Sequence, residues 1–406
     1  MSVSPTPATT RSPLGLAALI VPVAAVLTLI LVWGRSLPVP VEIVVVVLLA
    51  LSVLAAVHHA EVVAHRVGEP YGSLILAVAV TVIEVGLIVS LMLSGGPGAA
   101  TLARDTVFAA VMITCNGIVG LSLLITALRS GTAPFNAKGT ATALATVITL
   151  ATLSLVLPTF TTSSPGPIFS GPQLTFAAVI SLALYVLFLF VQNVRHRDYF
   201  LPAQNFVVRQ PSAVLEAQPT GPASPPAGKA ENVIAVARPE ETEDADTEEH
   251  AETPSTGTAL ASLGLLLAAL VAVVGLAKVE SKTIEAAVSG AKLPQAVVGV
   301  VIAMLVLLPE TLAAARNAHR NRTQISLNLA LGSAMASIGL TIPTIAVLSI
   351  WLEGPLVLGL GATHIVLLGL TAVVGTLTVL PGRATLLQAG VHLALCGSYL
   401  FLAAVP

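Results

Sequence analysis

The chain is 406 residues long, and 55% of them are hydrophobic against 9% charged, with a mean hydropathy of +0.94. Those proportions exclude a soluble globular domain, and the apolar runs lack the polar–apolar alternation of a β-barrel, which leaves a multi-span, all-α membrane protein. The formal net charge of −2 matters less than where the charges lie. The two cysteines, Cys115 and Cys396, both fall inside apolar runs and indicate neither a disulfide framework nor a CxxC site.

The amino terminus, Met1 to Pro13, is polar and small, and Leu14 to Trp33 reads as a retained first helix. Turn residues and charges then divide the chain into eleven candidate spans, at about 14–34, 41–64, 71–94, 104–129, 137–160, 172–194, 257–277, 294–318, 323–351, 356–380 and 384–404. Gly95-Gly96-Pro97-Gly98, Ser163-Ser164-Pro165-Gly166-Pro167 and Gly354-Pro355 are the plainest breakers. Residues 195–256 are of a different kind. They are rich in Pro, Ala, Glu and Thr and end in an acidic cluster that includes Glu240, Glu241, Asp244, Glu248 and Glu249. Such a segment buries too little apolar area to fold alone and is expected to be a disordered linker. The organisation is thus 1–40, a tail and first helix; 41–194, a first half; 195–256, the linker; and 257–406, a second half.

Basic residues near the span ends set the orientation. With the amino terminus in the cytoplasm, the inner side receives Arg11, Arg66, Arg129, Lys138, Arg195, Arg197, Arg209, Lys229, Arg238, Arg316, Arg320, Arg322 and Arg383. The outer side receives only Arg35, Arg104, Lys278, Lys282 and Lys292. The asymmetry supports eleven spans in a bacterial inner membrane, with the linker inside and the carboxyl terminus outside.

Two carboxylates stand out because they lie within apolar spans. Glu84 is near the middle of 71–94, and Glu310 holds a comparable place in 294–318, within Leu307-Leu308-Pro309-Glu310-Thr311. An ionised carboxylate at that depth costs about 2.5–3.5 kcal/mol on insertion scales, so it faces a cavity, a partner or an ion. The two are five spans apart, and an odd offset inserts the second copy from the opposite side, as in inverted-repeat transporters. The following spans also match: Thr114 falls on Ser333, and Gly120-Leu121-Ser122 on Gly339-Leu340-Thr341, while Ser333, Ser337 and Thr341 share one helix face. Thr81, Thr114, Asn116, Ser333 and Ser337 are therefore candidate oxygen donors beside Glu84 and Glu310, although such side chains also commonly bond back to their own helix. Two carboxylates with hydroxyl and amide oxygens suit a hard cation such as Na⁺, K⁺ or Ca²⁺, and protons take its place when it leaves. That competition is what a cation/proton exchanger requires.

At these motifs the sequence resembles the calcium/cation antiporter superfamily, in its Ca²⁺/H⁺ exchanger branch, and most of all the bacterial ChaA-type proton antiporters associated with sodium, potassium and calcium. The stretches that carry the resemblance are 64–73, Val82-Ile83-Glu84, 113–120 and 331–343. It implies that Glu84 and Glu310 are the ion-binding acids. Many Ca²⁺/H⁺ exchangers carry a Gly-Asn pair just before each such glutamate, whereas this chain has Val80-Thr81 and Val306-Leu307, which keeps a monovalent cation in play beside Ca²⁺.

The remaining polar residues read more plainly. His58, His59, Glu61 and His65 form a polar cluster at the inner end of the second span, and His364 and His392 are expected to be satisfied within the core. No P-loop, HExxH or nucleophile with a base is present, so an enzyme is not indicated and no cofactor is expected. The expected partners are inorganic cations, protons and the lipid bilayer, with no nucleic acid. The alternatives are cation/cation exchange without protons, and a membrane scaffold or receptor acting through the linker.

Overall fold

A computed structural model describes residues 13–68, 71–93, 98–201, 254–351 and 354–406. The helices are α1 (Pro13–Val32), α2 (Val39–Val67), α3 (Tyr71–Met92), α4 (Leu102–Ser130), α5 (Ala137–Phe160), α6 (Gly171–Arg195), α7 (Thr256–Gly290), α8 (Ala296–Val306), α9 (Leu308–His319), α10 (Thr323–Leu348), α11 (Ala362–Val379) and α12 (Leu386–Ala404). Nine of them are long and apolar enough to cross a bilayer, and the pair α8–α9, bent by 51°, makes a tenth span. Helix α1, with 20 residues, is about 30 Å long, and its apolar stretch Ala17–Val32 is shorter than those of the nine. Most of the expected linker, from 202 to 253, lies outside the described residues.

Local chemistry sets the helix ends. Gly68 and Gly131 close α2 and α4 with φ of 76° and 77°, a backbone region that glycine adopts without a Cβ penalty. Ser170 with Gln173 opens α6, and Thr385 with Gln388 opens α12, each as a capping box. These two helices stand five spans apart, like α3 and α8–α9.

The expected boundaries hold with three corrections. The span expected over 356–380 becomes helical only at Ala362, after a non-helical segment. The seventh helix does not stop near 277 but runs to Gly290, so it projects past its apolar stretch. The eighth span is not one straight helix over 294–318. Pro309 has no N–H to give Leu305, and its ring crowds that carbonyl, so the helix breaks at Leu307, where φ is −85° and ψ is 0°.

Whether α8–α9 crosses or turns back is decided by which loops meet. A short ladder, β1 (Ala133–Pro134) with β2 (Arg383–Ala384), pairs the loop after α4 with the loop before α12. Those loops share one side of the bundle only if the chain crosses an even number of times between them, which makes α8–α9 a single bent crossing among α5, α6, α7, α10 and α11. Ser130 donates to Asn321 Oδ1 at 3.1 Å, placing the end of α9 beside the end of α4. Arg66 donates to Thr256 at 2.9 Å, so α7 begins where α2 ends. Helix α3 therefore starts at the linker side and α8 at the far side, as opposite insertion demands.

Two buried apolar clusters form the core. One is built from α4, α5, α6, α10, α11 and α12, the other from α1, α2, α3, α7 and α8. Helix α3 contributes Val85 and Ile88 to the first and Ile83 and Leu87 to the second; α8 does the same with Ala303 and Ile302. The seam between clusters thus runs along the spans that carry the two glutamates.

Close backbone approach across that seam is strict at Gly299, where a Cβ would lie 2.8 Å from the Thr106 nitrogen. Gly299→Ala is expected to destabilise the protein by about 1–3 kcal/mol through overpacking, read as a lower melting temperature in detergent. Gly369→Ala, with open space around it, is the control and should change little.

Candidate cation site

On α3, Ala77, Val80, Thr81 and Glu84 follow helical spacing and line one face of a cavity of about 410 Å³. On α10 the stripe Asn328, Gly332, Ser333, Ala336 and Ser337 lines the opposite wall. Glu310 enters from the first turn of α9, and Tyr185 and Gln192 from α6. Glu84 is 3% exposed, and Ser337 Oγ donates to its Oε1 at 2.6 Å. Thr341, one turn farther along α10, is fully buried and its hydroxyl has no hydrogen-bond partner.

The bend at Leu307 is what brings Glu310 here. Breaking the span creates a new helix start inside the bundle, and a carboxylate in the first turn meets free N–H groups and the positive end of the helix dipole. One oxygen of Glu310, Oε2, is buried without a hydrogen-bond partner, and the side chain lies within electrostatic reach of Glu84.

Of the residues the sequence put forward, Glu84, Glu310, Thr81, Ser333 and Ser337 line this one cavity. Thr114 and Asn116 are not among its lining residues, and this corrects the expectation drawn from the repeat. Thr114 Oγ1 donates to the carbonyls of Ala110 and Val111 in its own helix, at 2.7 and 3.1 Å. Asn116 Nδ2 donates to Thr371 Oγ1 at 2.9 Å, and its Oδ1 lies 3.2 Å from His392 Nδ1. The physical reason is a π-helical turn at Ile113–Ile118, which adds a residue to the turn and rotates the side chains out of α-helical register. From α4 the cavity meets Ala110 instead.

Sequence reasoning missed Asn328, Gln192 and Tyr185. The stripe of Ser333 and Ser337 extends backward through Leu329 and Asn328 at helical spacing, so Asn328 was within reach of that signal. Asn328 Nδ2 donates to the Phe200 carbonyl at 2.6 Å, and Gln324 donates to its Oδ1 at 2.7 Å. Nothing comparable marked Gln192 or Tyr185.

The cavity occupies only one half of the bundle. Its lining runs from Glu84 and Ser337 toward Leu76, Ile325 and Gln192, near the helix ends on the linker side. Beyond Glu84, Ile88 and Leu91 from α3 and Ile338, Ile342 and Ile345 from α10 are buried, while a second, largely apolar cavity of about 360 Å³ runs between α3, α7 and α10 past Thr81, Val85, Val89, Val274 and Leu340. The far end is strapped by the segment before α11: Val357 N donates to the Ala100 carbonyl, Gly359 N to that of Pro167 and Leu360 N to that of Leu155, at 2.8 to 3.0 Å.

The histidines divide. His59 is buried with Nε2 at 2.9 Å from the Ala18 carbonyl, His392 also meets Thr378 at 3.2 Å, and His364 packs edge-on against Phe108. Among the described residues no group of three or more His, Cys, Asp and Glu side chains could hold a metal. The donors on offer in the cavity are carboxylate, hydroxyl and amide oxygens, a set for hard cations.

With this geometry in hand, the comparison with known proteins is direct. A family model described as "Sodium/calcium exchanger protein" matches residues 37–194 and 261–405. The chain belongs to that family. Within the sodium/calcium exchanger family, it is 45% identical over 359 residues to the y4hA protein of Sinorhizobium fredii, covering 88% of this chain and 87% of the other. It is 33% identical over 386 residues to the sodium-potassium/proton antiporter ChaA of Escherichia coli, covering 94% of both. Among solved structures, native YfkE superposes with a TM-score of 0.65 at 15% identity, covering 97% of this chain and 100% of YfkE. The H⁺/Ca²⁺ exchanger CAX superposes at 0.59 and 14%, covering 97% of this chain and 93% of CAX. At such identities the superpositions show the exchanger fold, and the sequence relatives carry the family.

Asn116 thus holds a buried polar network together. Asn116→Leu, which leaves His392 Nδ1 without its Asn116 partner and removes the donor to Thr371 Oγ1, is expected to cost about 1–3 kcal/mol of stability, measured as a lower melting temperature. Ser337→Ala keeps the fold and removes a hydrogen bond to a carboxylate, for a loss of roughly 10–100-fold in apparent cation affinity, measured in proteoliposomes.

Proposed function

We propose that the protein is a secondary active antiporter that exports a cation, Na⁺, K⁺ or Ca²⁺, in exchange for protons, with Glu84 and Glu310 as the shared binding acids. The single observation that carries the reading is their meeting in one cavity from oppositely inserted spans, Glu84 held by Ser337 and one Glu310 oxygen left without a partner. Two carboxylates in a low-dielectric bundle need compensation at every stage of a cycle. A cation supplies it in one state and protons in the other.

The geometry supports a defined role for each part. Thr81, Ser333 and Ser337 complete an oxygen cage around the two acids, and Asn328 and Gln192 line the route from the linker side. The bias of basic residues toward that side supports a cytoplasmic opening for this cavity. The seam between the two apolar clusters, each drawn from both halves of the chain, is where one cluster slides on the other to reverse the opening. Substrate class follows the relatives: ChaA is a sodium-potassium/proton antiporter, and YfkE is a Ca²⁺/H⁺ antiporter. Val80-Thr81 and Val306-Leu307 place no amide beside either glutamate, which favours a monovalent cation alongside Ca²⁺.

The test is transport in everted vesicles carrying an imposed pH gradient. Addition of Na⁺, K⁺ or Ca²⁺ is expected to dissipate the gradient, and Glu84→Gln or Glu310→Gln to abolish the response while leaving the protein folded. Full activity in either variant rejects the assignment. Cation flux that persists without any proton movement turns it into cation/cation exchange.

A further inference from the structure

At the end of the bundle away from the linker, α7 packs extensively along α2 and brings together two acids that do not line the transport cavity. Glu280 of α7 is 0% exposed, and neither of its carboxylate oxygens has a hydrogen-bond partner. The charged group that acts on it is a second carboxylate, Glu42, in the first turn of α2. Thr283, one turn along from Glu280, donates its hydroxyl to Glu42 Oε1 at 3.1 Å and ties the two helices together there. Val45, Leu276 and Ala277, a turn away along the same helices, are all buried in the apolar cluster.

No cation pairs with either acid among the described residues. Among the described residues the ion pair present is Arg104 with Asp105, and none of Arg35, Lys278, Lys292 or the acid Glu285 bonds to Glu42 or Glu280. The side chain of Lys282 lies outside the described residues. A buried carboxylate with no hydrogen-bond donor and a like charge beside it is disfavoured in its ionised form.

We propose that Glu280, with Glu42 beside it, is a second proton-binding site, separate from the transport cavity, and holds a proton at neutral pH. When that proton leaves, two negative charges face each other across the α2–α7 contact. The packing of these helices therefore responds to pH at the side of the membrane opposite the linker.

The test uses the purified full chain carrying Glu84→Gln and Glu310→Gln, so that neither transport acid can contribute and the result is independent of the proposed exchange. At neutral pH its infrared spectrum is expected to show the C=O band of a protonated carboxyl group, and adding Glu280→Gln is expected to remove it. Absence of the band in the parent, or its persistence after Glu280→Gln, overturns the proposal. A band that Na⁺, K⁺ or Ca²⁺ removes at constant pH makes the pair a metal site and overturns it as well. Should the triple variant fail to fold, melting against pH is read on the chain with Glu280→Gln alone. The folded chain keeps a proton that the unfolded chain gives up above about pH 5, so stability falls as pH rises. Glu280→Gln is expected to flatten that fall, and an unchanged slope overturns the proposal.

Discussion

The structure depends on keeping a carboxylate inside an apolar helix bundle. Glu84 has almost no exposed surface and accepts a short hydrogen bond from Ser337. Everything nearby follows from the need to compensate that group. A facing helix supplies hydroxyls in a stripe, a broken span aims a helix start at the same space, and a cavity reaches the pair from one end only. A single acid could be satisfied by a hydrogen bond across a helix interface. Two that meet in a common cavity, one with an oxygen left over, make a place where charge must come and go.

Pro309 is the device that makes the pairing work in the second half. The first copy carries its glutamate within an unbroken helix, and the second carries its glutamate just after a bend of 51°. The two repeats are therefore alike in order and unlike in local geometry. The same asymmetry appears in the helices that follow. In α10 the polar residues keep α-helical register and face the cavity; in α4 a π-helical turn rotates Asn116 away, to bond with Thr371 and His392. Each half still gives the cavity four oxygen-bearing side chains, Thr81, Glu84, Tyr185 and Gln192 from the first and Glu310, Asn328, Ser333 and Ser337 from the second.

The two apolar clusters give that arrangement a mechanical sense. Helices α3 and α8 belong to both clusters, so any displacement of one cluster against the other is felt first at the spans that present Glu84 and Glu310. Packing is tight across this seam, with Gly299 against the backbone of Thr106, and the end opposite the linker is strapped by 354–361. A site placed between two bodies, with one end packed and the other open, is suited to exposing a bound ion to one side at a time.

How much of this could be read from the sequence depends on the range of the forces involved. Composition and the spacing of apolar runs determined the membrane-spanning class and where most of the apolar helices lie, because a bilayer requires each stretch to satisfy its own backbone over about 20 residues. The two buried acids and the Ser333–Ser337 stripe were equally legible, since a charge or a periodic hydroxyl in an apolar run is a local anomaly. The bend at Leu307 was implicit in Pro309 but unread. The tertiary structure alone decided what depends on helix phase and on neighbours distant in the chain: that Asn116 belongs to His392 and not to the cavity, that Asn328 and Gln192 line the mouth, and that Glu280 meets Glu42. Spacing along a chain predicts which face a side chain shares with its own helix. Which other helix that face meets is set by packing, and one residue of π-helical phase is enough to change the answer.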